Sequence, residues 1–187
     1  MKNIATVALM LSLGVASVYG QQTPVNMTLS GTATASTVDL QPGTPASEYH
    51  LTGNGTLGQF TLRAVSTSMT SPQLSRTCSG PTKVYFPAVA GAGVFRFQDG
   101  GLLKVNLTGG GDCIDFAAGE ALCPRIFQIT GGTGRFKNAS GAITLTMTVV
   151  PVLADASNNP VFFAVTGEIT GAVPGVAMDH GSQDGQP

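Results

Sequence analysis

The sequence predicts an all-β chain forming a single domain of eight strands, a barrel or a sandwich. Three observations carry this. Apolar and hydroxylated residues alternate with period two in several segments, and Gly, Pro, Ser and Asn cluster between them. No stretch after residue 20 keeps a helical period over an adequate length, apart from a short turn around Phe116 to Leu122.

The clearest alternation places Ile143, Leu145, Met147 and Val149 on one face and Thr144, Thr146 and Thr148 on the other. A half-buried strand has this pattern, because successive side chains point to opposite sides. Phe60, Leu62 and Ala64 alternate with Thr61 and Arg63, and Phe95 and Phe97 with Arg96 and Gln98. Leu103, Val105 and Leu107 alternate with Lys104 and Asn106. Asp99-Gly100 between the last two runs predicts a tight type I′ hairpin, whose two central residues need positive φ. The strands are expected at about 25–35, 56–66, 82–86, 93–98, 102–108, 124–130, 141–151 and 161–171, with connections at 40–47, 66–82 and 154–160.

The chain starts as a secretory signal would. Lys2 supplies a positive charge, Ile4 to Val18 is uncharged and apolar or small, and Val18-Tyr19-Gly20 ends on a small residue. Cleavage is expected before Gln21, with the positions after Ala16 or Ser17 as alternatives. The apolar run of 15 residues is shorter than the roughly 20 of a membrane span. This divides the chain into a signal at 1–20, a β-domain at 21–172 and a flexible tail at 173–187, rich in Gly, Pro, Asp and Gln. Without Lys2, eight Lys and Arg face ten Asp and Glu, a net charge of −2. No cluster of cations is apparent along the chain, so nucleic acid is not an expected partner. Charged residues make up only 10% of the sequence and threonine supplies much of the polarity, which suits an extracellular or periplasmic β-protein.

Three cysteines, Cys78, Cys113 and Cys123, meet an oxidising compartment after export. An odd count leaves one thiol over. Cys113 and Cys123 flank a short Gly-containing loop and are the favoured pair; Cys78 with either of them is the alternative. Their spacing does not suit a zinc site, which wants four ligands in paired clusters.

The segment ITGGTGRFKNASG, Ile129 to Gly141, is the most specific text in the chain. Gly131, Gly132 and Gly134 with Thr133 make a turn between two strands, Phe136 offers one large apolar anchor, and Gly141 opens the next strand. This pattern resembles the allene oxide cyclase and dirigent barrel superfamily. Leu145, Val149, Pro151, Phe163 and Gly167 extend the resemblance, which covers Phe127 to Gly171. It implies an eight-stranded antiparallel barrel with an apolar cavity, in which the glycine turn closes the barrel. Plant members of the family cyclise an unsaturated fatty-acid epoxide or guide the radical coupling of phenols. This chain departs from them. The acidic and amide motif associated with cyclase chemistry has no counterpart before Gly55, and the acidic residues of the dirigent pocket have none at matching positions. The resemblance is to small secreted proteins that share the glycine motif.

Other chemistries find little support. The Gly131–Gly134 turn leads into a strand, not into a helix with the Lys and Ser/Thr of a phosphate loop. Gly109, Gly110 and Gly111 with Asp112, Asp115 and Glu120 could offer oxygens to Ca²⁺, but the spacing is not that of an EF-hand and a solvated loop is the expectation. His50 precedes a strand and His180 lies in the tail, so neither has partners for a catalytic triad. Glu168, in the last strand, is expected on the outer face. The sequons at Asn26, Asn54, Asn106 and Asn138 arise easily in a Thr-rich chain. No cofactor or metal is implied and no catalytic residue is assigned. The leading functional reading is a secreted barrel that holds a small apolar ligand without catalysis, free to be an oligomer. The alternatives are a cyclase, isomerase or dirigent-type guide of a lipid or phenolic intermediate, and an envelope or matrix protein.

Overall fold

In the computed structural model, which describes residues 22–177, the alternating segments pair into one closed antiparallel barrel. The strands are β1 (Gln22–Ala35), β2 (Ala46–Gly55), β3 (Phe60–Ser68), β4 (Lys83–Phe97), β5 (Leu102–Asp115), β6 (Glu120–Gly132), β7 (Ala142–Ala154) and β8 (Pro160–Pro174). They follow one another around the ring, and β1 pairs with both β2 and β8. Closure leaves no sheet edge. The expected signal and cleavage site, His180 and the rest of 178–187 lie outside the described residues.

The strand count agrees with the sequence reading, but two strands differ. β2 falls where a connection and a lone His50 were expected. Tyr49 and Leu51 are its only large inward side chains, so its alternation is faint. The two strands expected at 82–86 and 93–98 are the ends of a single strand, β4. Pro87 and the small residues from Ala88 to Gly93 hide its continuity. Ser66 and Leu62 of β3 fill the space that larger side chains at Gly91 and Gly93 would take. The β4–β5 hairpin is not type I′, because Gly100 has positive φ (84°) and Asp99 does not. Gly100 N donates to Phe97 O, and Phe97 N to Gly101 O, a type I turn closed by a glycine bulge.

On β7, Ile143, Leu145, Met147 and Val149 are buried as the alternation requires. They meet Leu29, Leu51, Leu62, Phe95, Val105, Phe127 and Ile169 in one core. One end of the barrel is sealed by the glycine motif. Gly131 and Gly132 end β6, Thr133 N donates to Leu102 O, and its hydroxyl accepts from Leu102 N. Gly134, with φ 59°, turns the chain into a short 3₁₀ segment, Gly134–Phe136. Phe136 is fully buried and stacks on Phe97 at 4.4 Å. Arg135 lies over both rings, pairs with Asp99 at 2.6 Å and donates to Leu57 O. Gly141 O accepts from Ile129 N just before β7 starts. The barrel runs past the boundary drawn at residue 172: β8 ends at Pro174, Val173 is fully buried, and Ala177 N donates to Arg135 O.

The disulfide joins Cys78 to Cys113, and Cys123 is free and buried. The favoured pairing of Cys113 with Cys123 is therefore corrected. Cys113 sits opposite Leu122 in the β5–β6 ladder, so both point outward, and Cys123, one residue on, points inward. Neighbours in sequence on a strand face opposite ways, so the two sulfurs lie on opposite sides of the sheet.

Candidate functional site at the barrel mouth

The end opposite the glycine plug carries the β1–β2, β3–β4, β5–β6 and β7–β8 connections. Inside it, the inward phase of four strands delivers polar groups: Tyr49 from β2, Ser66 and Ser68 from β3, Asp112 from β5 and Arg125 from β6. A bulge between Leu107 and Gly109 sets this arrangement. Below the bulge Leu103, Val105 and Leu107 face the core; above it Asp112 and Ile114 do.

Arg125 is 1% exposed. Its Nη2 donates to Asp112 Oδ1 at 2.5 Å, and Ser68 Oγ donates to Asp112 Oδ2 at 2.5 Å. Nε and Nη1 have no partner among the described residues. Burial works against the guanidinium charge, but the Asp112 carboxylate overrides it and holds the Arg125 pKa above its usual value. Burial pushes the Tyr49 phenol up, against the opposing pull of Arg125. Burial also pushes the Cys123 thiol up, reinforced by the Asp112 charge.

Two cavities of about 390 Å³ share Ile114 in this mouth. One is lined by the polar set together with Phe86 and Met69. The other is apolar, walled by Phe116, Val149, Pro151, Pro160 and Phe163. Beneath Arg125 a closed chamber of only about 10 Å³ remains between Leu51, Leu62, Phe127 and Leu145. The barrel is thus packed through its middle and hollow only at its mouth.

The sequence reading had no role for Tyr49, Ser66, Ser68 or Arg125. The signal for Arg125 was its phase, in step with Phe127 and Ile129 on β6. Asp112 is an ion-pair partner, and Asp115 takes Thr82 Oγ1, Ala117 N and Ala118 N in the β5–β6 turn. His50 lies on the outer wall against Arg63, and Glu168 is also exposed there. Among the described residues no helix is long and apolar enough to cross a membrane.

No family model matches the chain, and no curated protein matches it. Seven solved chains match it. One is that of the pterocarpan synthase dirigent protein GePTS1, aligned over 89% of this chain and 98% of its own, at 11% identity and a TM-score of 0.37. Overlap this low carries nothing about activity or substrate, and the closed eight-stranded barrel rests on its own strand register.

Proposed function

We propose that the protein is an exported barrel that binds a small, largely apolar molecule in its mouth and does not transform it. The observation that carries this reading is the paired cavity: an apolar wall of Phe116, Pro151 and Phe163 beside a polar wall of Tyr49, Ser68, Asp112 and Arg125. Concave, mostly apolar sites with a few placed polar groups suit small ligands. The polar wall carries hydroxyl donors from Tyr49 and Ser66 beside the Arg125 guanidinium, so the ligand should present an acceptor oxygen. Asp112 already neutralises Arg125, so a neutral ligand fits better than an anion.

The protonation states support a non-catalytic role. Tyr49 and Cys123 are both pushed toward their neutral forms, and Arg125 stays charged. Asp112 has both oxygens engaged. On the polar wall no group is poised to take a proton from a ligand at neutral pH; the carboxylates of Asp115 and Glu120 lie on the other cavity, beside its apolar wall. The inward ion pair itself favours a second reading, a guide that holds a reactive lipid or phenolic intermediate by charge and shape. Export before Gln21 fits the Cys78–Cys113 bridge, which requires an oxidising compartment.

An environment-sensitive apolar dye tests the proposal. Binding should occur in the wild type and weaken about tenfold or more when Phe163→Asp places a charge in the apolar wall. Dye binding that is absent, or unchanged in a folded Phe163→Asp variant, would refute it. Turnover of an unsaturated fatty-acid epoxide, or a stereochemical bias in phenol coupling, would shift the reading to the second.

A further inference from the structure

We propose that the outer wall over β4 binds an acidic polysaccharide, a function separate from the mouth. A groove of about 440 Å³ runs along the outside of β4 over Ala92 and Val94, with Arg63 on one flank and Lys104 and Asn106 on the other. Register fixes this placement: Arg63 of β3 and Lys104 of β5 both pair with Val94, and Arg96 follows two residues along on the same face of β4. The flanking strands are two strand spacings apart, about 10 Å, room for one extended chain. Successive outward residues on β4 are about 7 Å apart. Arg63 and Lys104 therefore flank the groove and Arg96 lies beyond its end, at intervals that can meet charges repeated along a polymer.

All three cations are exposed, and among the described residues none pairs with a carboxylate. The acids are placed elsewhere. Asp99 is held by Arg135, Asp112 is inside the mouth, Asp115 and Asp155 are tied into turns, and Glu168 is exposed on β8, across the ring from β4. Glu48 is the one acid lining the groove, with exposed Asp39 next to its lining residue Val38; Glu48 already accepts from Ser36 Oγ at 2.7 Å and lies 4.0 Å from His50 Nε2. The face is a net cation in a chain whose net charge is −1. Arg pairs in a planar, two-pronged way with carboxylate or sulfate. Asn106 and Thr130 supply neutral hydrogen-bonding groups for the hydroxyls of a sugar chain, while His50 lies between Arg63 and Glu48.

Two other polyanions fit less well. Single-stranded nucleic acid wants exposed aromatic rings for stacking, and the exposed large apolar residues here are only Val38 and Val94. An anionic bilayer wants apolar side chains that enter it, and the larger exposed ones lie off the groove: Leu74 in the β3–β4 connection, Phe116 and Leu153 at the β5–β6 and β7–β8 hairpins, and Leu122 and Ile126 on β6.

The test is binding of the full chain at low salt to polygalacturonate, which carries carboxylates, and to heparin, which adds sulfates. Wild type should bind at least one, with affinity falling as salt rises at a log–log slope of about −2 to −3 for three contacts. The triple variant Arg63→Ser/Arg96→Ser/Lys104→Ser should lose about tenfold or more. A control of equal net charge, Arg76→Ser/Lys83→Ser/Lys137→Ser, should lose far less. If the triple variant fails to fold, the single Lys104→Glu replaces it and should still lose severalfold. No polysaccharide binding by wild type, equal loss in the control, or tighter binding to oligothymidylate or phosphatidylserine vesicles would each overturn the proposal. Dye binding in the mouth should be unchanged in the triple variant, so failure of this proposal and failure of the mouth reading are separable.

Discussion

Asp112→Asn is the most informative single change, because it keeps the side-chain shape and removes one charge of a buried pair. It leaves Arg125, 1% exposed and still cationic, facing a neutral amide. Breaking a buried pair from one side costs about 3–5 kcal/mol. The Asp112 side chain is 20% exposed, so water compensates in part, and the expected loss is about 3 kcal/mol, the lower end of that range. Arg125→Met should cost less, about 1–3 kcal/mol, since Ser68 still donates to Asp112 and solvent reaches the carboxylate. The double variant removes both charges and fills the space with an apolar chain of similar length. It should recover most of the loss, to within about 1–2 kcal/mol of wild type. Urea denaturation of the four proteins, with slopes compared to confirm one transition, closes the cycle. If Asp112→Asn cost under about 1 kcal/mol, or the double variant were no more stable than Asp112→Asn, the ion pair would not hold the mouth together.

Further outcomes follow from packing and thiol chemistry. Leu145→Ala, at a site 2% exposed, should cost about 2–5 kcal/mol. Its outward neighbour Thr146→Ala should stay within about 0.5 kcal/mol; the reverse order in denaturation would put the strand register out by one residue. Thiol titration should find one reactive group per chain after unfolding without reductant and almost none in the native state, because Cys123 is buried and its pKa is pushed up. Cys78→Ser opens a loop whose ends are 35 residues apart and should cost about 3–4 kcal/mol on the chain-entropy account; an unchanged denaturation midpoint would count against the bridge.

What could be read in advance depended on whether a residue's role was local. The β7 face was legible because four large apolar residues alternate with three threonines without interruption. The glycine motif was legible because its turn, its anchor Phe136 and its exit are contiguous. β2 was not, since Tyr49 and Leu51 alone stand for its inner face, and β4 was split by a run of small residues fitted to its neighbours. The mouth was hidden for a different reason. Asp112 and Arg125 meet only because β5 gains a residue at its bulge, which reverses the phase of the strand above it. Periodicity read from Leu103 to Leu107 and continued without that step would place Asp112 outside and Cys113 inside. The Cys113–Cys123 bridge was expected because the two flank a short Gly-containing loop, and nearness along the chain does not say which side of the sheet each sulfur faces.

The plug at the far end bears on how anything could come and go. Arg135 touches the β2–β3 turn through Leu57 O, the β4–β5 turn through Asp99, and the β4 ring of Phe97, all from the β6–β7 connection that carries it. Three hairpins are thereby stitched shut by one side chain, with Phe136 beneath it. The molecule is a cup and not a pipe. On the proposed reading, a ligand would arrive and depart by the mouth alone. Residence time then rests on the rim, where the 69–82 connection is pinned to β5 by Cys78 and Cys113 and to β4 by the Gln73–Tyr85 bridge. Loosening that rim should change how fast an occupant exchanges while leaving the floor that receives it intact.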